Sequence, residues 1–312
     1  MYIRFWGVRG SVATPLTNAE LVIKIKTVLK MALEAGLTSD SQIPSFISNL
    51  PKELLMTAGG DSACVEIRTG DQLIILDAGT GIRQLGLNLM QKAMGNPVEA
   101  HILISHTHWD HICGIPFFVP GYNPRNNLFI YSTYPDMKDR LDYQQYPRYF
   151  PVPLGHAFKF VTIEKQGVFR IGSVKIETSP LNHPGKCFGF RIASKGKTVV
   201  YATDSEYKNL SADALKPFTD FFHGADLLIY DAQYTMLENI EKENWGHSNV
   251  FTGIDMAIKA EVKKLAFIHH EPAYNDLKLW GMLQKAKEYA QINRAGKKLQ
   301  LYLAFEGARI RL

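Results

Sequence analysis

The run His106-Thr107-His108-Trp109-Asp110-His111 places four strong metal ligands within six residues, directly after the apolar Ile102-Leu103-Ile104 and Ser105. Imidazole and carboxylate with no thiolate in the run suit Zn, Mn or Fe better than Ca or Mg, which take all-oxygen shells. On a loop leaving a strand, His106 and His108 point one way and Asp110 and His111 the other, an arrangement able to hold two neighbouring cations. A merely polar surface loop does not account for three histidines in six positions of a chain that has 10 in all. Cys113 follows closely enough to be a ligand in principle, but a small, half-buried neighbour is the simpler reading.

Further polar residues stand where apolar runs end, which is where an α/β sheet presents functional groups. His183 lies in Leu181-Asn182-His183-Pro184-Gly185, Asp204 follows Val199-Val200-Tyr201-Ala202-Thr203, and His269 and His270 follow Leu265-Ala266-Phe267-Ile268. A lone histidine after a strand is ordinarily a structural hydrogen-bonder, but several in a chain with a metal-type loop form a constellation. Ser105 and Ser248 each adjoin a histidine, too weak a signal for a covalent nucleophile. His101 and His223 read as structural or surface residues, and His156 has no motif behind it.

The elements that must position these groups follow from periodicity. Short β-type runs recur at 2–6, 64–68, 73–76, 101–104, 128–131, 174–178, 189–193 and 198–202, mostly linked by turns. Later runs at 227–230 and 264–268 are separated by a helical pattern over 249–262; a second helix is expected over 277–292, with closing strands at 299–303 and 308–312. An α/β layered fold is the expectation, with 1–312 as one enlarged domain. Two segments interrupt the plan. About 16–58 reads as a helical insertion with patterns at 19–35 and 43–55, Pro44 and Pro51 marking turns or helix starts. About 117–165 is rich in Tyr, Phe and Pro and is suited to capping the site, stacking on a base or forming an oligomer face, with a homodimer as a candidate assembly.

Composition sets the boundaries. Hydrophobic content of 46% and charged content of 21% are ordinary for a soluble enzyme. No apolar run is long enough to span a membrane, and the N-terminus reads as a strand rather than an export signal. Three widely spaced cysteines form no disulfide framework, so a cytoplasmic location is expected. The formal charge of +5 suits anionic substrates, although a solvated lysine-rich face explains it equally well.

The order Asp77-Ala78-Gly79-Thr80-Gly81, His-x-His-x-Asp-His, His183, Asp204 and His269 resembles the metallo-β-lactamase superfamily. The stretches Arg4-Phe5-Trp6-Gly7-Val8-Arg9-Gly10-Ser11, Leu228 to Thr235, Trp245-Gly246-His247-Ser248 and His269-His270-Glu271-Pro272 resemble its phosphodiesterase-like branch, related to ribonuclease Z. The resemblance implies a four-layer αβ/βα sandwich with a dinuclear centre at one edge of the sheets. It implies that His106, His108 and His183 bind one metal, that Asp110, His111 and His269 bind the other, and that Asp204 bridges them. The ions would be Zn or Mn, with Fe also suited. Asp77 would brace the metal loop from beneath. His270 should face away from the ligand His269 and support the site or touch substrate, although exchanged roles for the two are open at this stage.

The same resemblance assigns catalysis. By it, a water activated by the metals would be the nucleophile near neutral pH, Asp110 would belong to the catalytic set as well as the ligand set, and His247, oriented by Asp231, would protonate the leaving group. The expected activity is metal-dependent hydrolysis of a small phosphodiester, a cyclic nucleotide being the leading candidate. Gly59-Gly60-Asp61-Ser62 stands where relatives commonly carry Gly-Gly-Asn-Thr/Ser, and no protruding Gly- and Pro-rich arm for transfer RNA is evident, so nucleic acid is the less favoured partner. Rival readings are a ribonuclease Z-type nuclease, a hydrolase of esters, thioesters or lactones, and a non-catalytic binding module.

Overall fold

The computed structural model describes residues 1–292 and 298–312. Its first half contains β1 (Tyr2–Gly7), α1 (Asn18–Glu34), α2 (Ile43–Ser48), α3 (Lys52–Leu55), β2 (Cys64–Thr69), β3 (Gln72–Leu76), α4 (Ile82–Ala93), β4 (Glu99–Leu103), α5 (Trp109–Ile112), β5 (Asn127–Ser132), α6 (Met137–Gln144) and β6 (Phe158–Thr162). The second half contains β7 (Val168–Ile171), β8 (Val174–Leu181), β9 (Cys187–Ser194), β10 (Lys197–Ala202), α7 (Ala212–Phe222), β11 (Leu227–Asp231), α8 (Met236–Glu241), α9 (Val250–Lys259), β12 (Lys264–Ile268), α10 (Asp276–Ile292), β13 (Gln300–Leu303) and β14 (Arg309–Arg311).

The strands form two seven-stranded sheets, ordered β14-β1-β2-β3-β4-β5-β6 and β13-β12-β11-β10-β9-β8-β7. Each is antiparallel on one side and parallel on the other: β3 to β6 and β10 to β13 pair in parallel, the remaining neighbours antiparallel. Alternation along the strands builds the layers. On β11, Leu227 and Ile229 join Ile3, Phe5, Ile176 and Phe190 between the sheets, whereas Leu228 and Tyr230 face the outer core with Leu215, Ile254 and Leu283 of α7, α9 and α10. The other outer core packs α4 on the first sheet through Ile82, Leu85 and Leu89. The result is an αβ/βα sandwich, as the family resemblance implied.

Local departures have identifiable causes. The helix α4 was not anticipated because Gly86 interrupts its apolar stripe; it is retained because a Cβ there would lie 2.8 Å from the Phe118 ring. Pro217 lies inside α7 and argues against a helix in the sequence alone. The pattern at 43–55 divides into α2 and α3, with Pro51 as the N-cap of the second. The aromatic segment at 117–165 is more than a loop, since it delivers β5, α6 and β6 to the first sheet.

Glu306, between β13 and β14, locks the 59–61 turn: its Oε1 accepts the Asp61 amide at 2.6 Å, and a Cβ on Gly59 (φ +109°) would meet its carboxyl carbon at 2.2 Å. Burial pushes this carboxyl up to about 7 from its ordinary 4.5. The folded state therefore holds the proton more tightly than the unfolded chain, so the stability linked to it is full below about pH 4.5 and is lost as pH rises through about 7. Glu306→Gln should flatten the dependence of melting temperature on pH between these values. Allowing for partial solvent screening, the difference amounts to about 2 kcal/mol, measurable by thermal unfolding across the range.

Candidate metal and active site

The groups singled out in the sequence converge where the strands of both sheets end. Asp77 follows β3, His106 to His111 follow β4, His183 follows β8, Asp204 follows β10, Asp231 ends β11 and His269 follows β12. Ligand-type atoms gather in three overlapping clusters: His106, His108, His183 and Asp204; Asp110, His111 and His269; and Asp204, Asp231, His247 and His269. Asp204 belongs to two of them. Its Oδ2 lies 3.6 Å from His106 Nε2, 3.4 Å from His111 Nε2 and 3.6 Å from His183 Nε2, and its Oδ1 lies 3.2 Å from His269 Nε2.

The histidine hydrogen bonds show which nitrogens face inward. His111 Nδ1 is 2.8 Å from Asp77 Oδ2, His183 Nδ1 is 2.9 Å from the Gly246 carbonyl, and His269 Nδ1 is 2.9 Å from Gln233 Oε1. His106 Nδ1 is 3.1 Å from Ser105 Oγ, whose own proton goes to Asp77 Oδ2 at 2.8 Å. With these outer N–H groups bound to oxygen, the four Nε2 atoms are left pointing at one another and at carboxylates. The buried Nε2 of His106 has no hydrogen-bond partner. His183 Nε2 and His108 Nδ1 are 3.0 Å apart, His111 Nε2 and His269 Nε2 3.3 Å, and His269 Nε2 and Asp110 Oδ2 3.0 Å. A tetrahedron with metal–nitrogen bonds of ~2.0–2.1 Å has edges of ~3.3–3.4 Å, so the donor spacing fits divalent cations.

Electrostatics agree with this fit. Burial holds His106 far below, and His108 and His183 below, the ordinary imidazole range, keeping them neutral as ligands must be. His111 and His269 behave oppositely. Burial alone would lower them, but Asp110 and Asp204 outweigh it for His111, and Asp204 and Asp110 push His269 up to about 9. Burial likewise opposes ionisation of Asp110 and Asp204, yet the histidines beside each keep both carboxyls below their usual range. The pocket concentrates negative charge that calls for a cation.

Asp77 is fully buried and accepts from the Ser105 amide (2.7 Å) and hydroxyl and the Tyr201 hydroxyl (2.9 Å), besides facing His111 Nδ1. Asparagine would present N–H groups to an all-donor surround. Asp77→Asn should weaken metal affinity by about 10–100-fold and stability by on the order of 3 kcal/mol, read by metal titration and denaturant unfolding.

The Asp231 and His247 pair is present: His247 Nδ1 lies 2.9 Å from Asp231 Oδ2, and the His247 ring stands 5.1 Å from His183 and 4.9 Å from His269, centroid to centroid. His270 differs from the expectation that it supports the site or touches substrate. Its Nε2 is turned to the Ala304 carbonyl at 2.8 Å, where burial lowers it to about 3, and only its backbone, paired with Val8 and Gly10, steadies the site loop. Ser248 is spent on Tyr230 at 2.7 Å. His101 lies 3.1 Å from the Tyr131 hydroxyl, and His156 and His223 are exposed away from the clusters.

Sequence reasoning missed Gln233 and Ser11, although both lie within quoted motifs. The Ser11 amide donates to Asp110 Oδ2 at 2.8 Å, and Gln233 spans from His269 to Glu271 (2.8 Å) and Ser11 (3.2 Å). Ser11, Asp77, Asp204 and His269 all adopt left-handed backbone, with φ of 60°, 57°, 54° and 63°. Such conformations cost of order 1 kcal/mol or more each and persist only where surrounding contacts enforce them. Two motif glycines exist for close approach: a Cβ on Gly10 would lie 2.3 Å from His269 Nδ1 and one on Gly246 2.2 Å from His183 Nδ1.

Comparison with known proteins agrees with this architecture. The chain is 32% identical over 114 residues to the ribonuclease Z of Sulfurisphaera tokodaii, covering 36% of this chain but only 35% of that protein. It is 28% identical over 241 residues to the ribonuclease Z of Saccharolobus islandicus, covering 65% of this chain and 80% of that one. The metallo-beta-lactamase fold protein YhfI from Bacillus subtilis superposes with a TM-score of 0.62 at 18% identity, over 99% of this chain and 98% of that one. Residues 72–270 match the family described as "Beta-lactamase superfamily domain". Taken with the two-sheet sandwich and the histidine and aspartate clusters at its edge, this match makes the chain a member of the metallo-β-lactamase superfamily of hydrolases, related to ribonuclease Z.

Proposed function

We propose that the protein is a metal-dependent phosphodiesterase that hydrolyses a small phosphodiester, with a cyclic nucleotide as the leading candidate. The observation that carries the reading is the 2.9 Å contact between Asp231 Oδ2 and His247 Nδ1 beside the ligand clusters. An alkoxide leaving group needs a proton. A histidine anchored through Nδ1 by a carboxylate presents Nε2 at a fixed position to carry one.

In this reading His106, His108 and His183 hold one divalent cation, Asp110, His111 and His269 the second, and Asp204 both. Zn, Mn or Fe, when bound there, supplies Lewis acidity at the phosphoryl group. The protein's own contribution is orientation. Asp77, Gln233 and the Gly246 carbonyl fix the imidazoles, Ser11 holds Asp110, and Asp231 aims His247.

The test is an assay of metal-quantified protein on bis(p-nitrophenyl) phosphate beside a p-nitrophenyl ester and a lactone, with and without added Mn or Zn. Selective, metal-dependent cleavage of the phosphodiester is expected; cleavage of the esters alone overturns the proposal. Similarity to proteins named ribonuclease Z favours a second reading, cleavage of RNA. It predicts RNA binding that weakens steeply with salt.

A further inference from the structure

We propose that Glu206 is a positioning residue for the proton transfer: through the turn at 244–246 it sets where His247 stands against the leaving group. The inference rests on the reading of His247 as the general acid and adds a second control to its contact with Asp231. Glu206 lies two residues beyond Asp204 and is only 6% exposed. Its Oε1 accepts the Asn244 amide at 3.0 Å, and its Oε2 accepts the Asn244 amide at 3.1 Å and the Gly246 amide at 3.3 Å. Bonds to an ionised acceptor are stronger than those between neutral groups. The Glu206 amide in turn donates to the Asn182 carbonyl at 2.8 Å. One residue thus joins three segments that carry site groups: His183 on the first, Asp204 on its own, and His247 on the third.

The turn needs such a restraint. Asn244 and Gly246 adopt left-handed backbone, with φ of 74° and 87°, and for asparagine this conformation persists where contacts enforce it. The turn's own side chains do not, since Glu243, Asn244 and Trp245 are exposed. On the Glu206 side a cavity of about 470 Å³, with His183, Glu206, Lys208 and Asn244 in its wall, leaves the turn room to shift. The Lys208 ammonium reaches Asn244 Oδ1 and stands 3.9 Å from Glu206 Oε2, but the lysine contact to Asn244 is exposed and water competes for it. The buried carboxylate is what holds the backbone.

Two functional groups depend on that backbone. The Gly246 carbonyl lies 2.9 Å from His183 Nδ1, and His247 follows directly, its ring 5.1 Å from the His183 ring. Asp231 fixes the His247 ring through Nδ1, whereas Glu206 fixes the main chain from which the ring projects. A general acid must stand within about 2.6–3.2 Å of the oxygen it protonates, so a shift of the turn by about 1 Å interrupts the transfer.

The test compares full-length wild type, Glu206→Gln, His247→Ala and the double variant at saturating Mn, so that slackening of His183 is not read as a defect of the acid. Glutamine keeps the volume but removes the charge and turns an NH₂ group towards backbone donors. The substrates are bis(p-nitrophenyl) phosphate and diphenyl phosphate, whose more basic phenolate needs the proton. Glu206→Gln should lower kcat on diphenyl phosphate by about 10–100-fold with little change in KM, and cost far less with p-nitrophenolate. Added to His247→Ala it should cost nothing further, because both changes remove the same step. Without added metal, the Asn244 and Gly246 amides should exchange with solvent about 10–100-fold faster than in wild type, read by hydrogen exchange. A loss equal for both leaving groups, full additivity with His247→Ala, or unaltered amide exchange overturns the proposal. Inactivity of the wild type on both substrates, or a His247→Ala defect independent of the leaving group, instead overturns the acid assignment on which the proposal rests.

Discussion

Asp204→Asn should strip the protein of metal while leaving its fold intact. Asparagine keeps the side-chain volume and tolerates the left-handed backbone (φ 54°) that Asp204 adopts. It removes the charge that faces four imidazoles within 3.2–3.6 Å. Both clusters lose their shared anion at once, so neither is left with a complete donor set. On the proposed two-ion site, metal content should fall from about two ions per chain to below one, and turnover by at least about 10³-fold. Elemental analysis of protein purified without chelator measures the first, and unchanged far-ultraviolet circular dichroism excludes unfolding as the cause. Retention of two ions would show that Asp204 is not the bridge.

In metal-free protein the same substitution changes proton binding. Asp204 is one reason His111 and His269 are raised above ordinary histidines despite burial. Without it, that preference for the proton weakens, and His111 Nε2 and His269 Nε2, 3.3 Å apart, lose part of the charge that favours a proton between them. The imidazoles of the metal-free variant should therefore take up their protons at lower pH than those of the metal-free wild type, read from histidine ring NMR shifts across a pH titration.

How much of this was legible before the fold was known follows from the range over which each residue acts. His106 to His111 are contiguous, and the strands that end at His183, Asp204 and His269 announce themselves by local apolar runs, so the convergence was readable from one dimension. The choice between His269 and His270 rested on alternation along β12, and the structure places His269 in the clusters and His270 against Ala304. Ser11 and Gln233 reach Asp110 and His269 across 99 and 36 residues, and Tyr201 reaches Asp77 across 124. No periodicity encodes such contacts. Nor does a sequence pattern disclose that Asp77, Asp204 and His269 sit at positive φ, because ordinary aspartates and histidines are not marked as glycines are. The short edge strands β6 and β7 were lost for a related reason: with one side unpaired, their alternation is weak, and Phe158–Thr162 mixes buried and exposed positions.

His247→Ala tests the chemistry rather than the metal. The ring makes one charged contact, with Asp231, and stacks on His269 at 4.9 Å without completing the His106 or His111 clusters, so metal content should be unchanged. If His247 delivers the proton to a departing alkoxide, its loss should lower turnover by about 10²–10⁴-fold for a phosphodiester with an alkyl leaving group. With p-nitrophenolate, which departs without a proton, the same substitution should cost far less. Asp231→Asn should show the same dependence on the leaving group in milder form, because the imidazole remains but loses its anchor. A defect equal for both leaving groups would instead describe a structural histidine, and would favour the ester-hydrolase reading over phosphodiester cleavage with His247 as the acid.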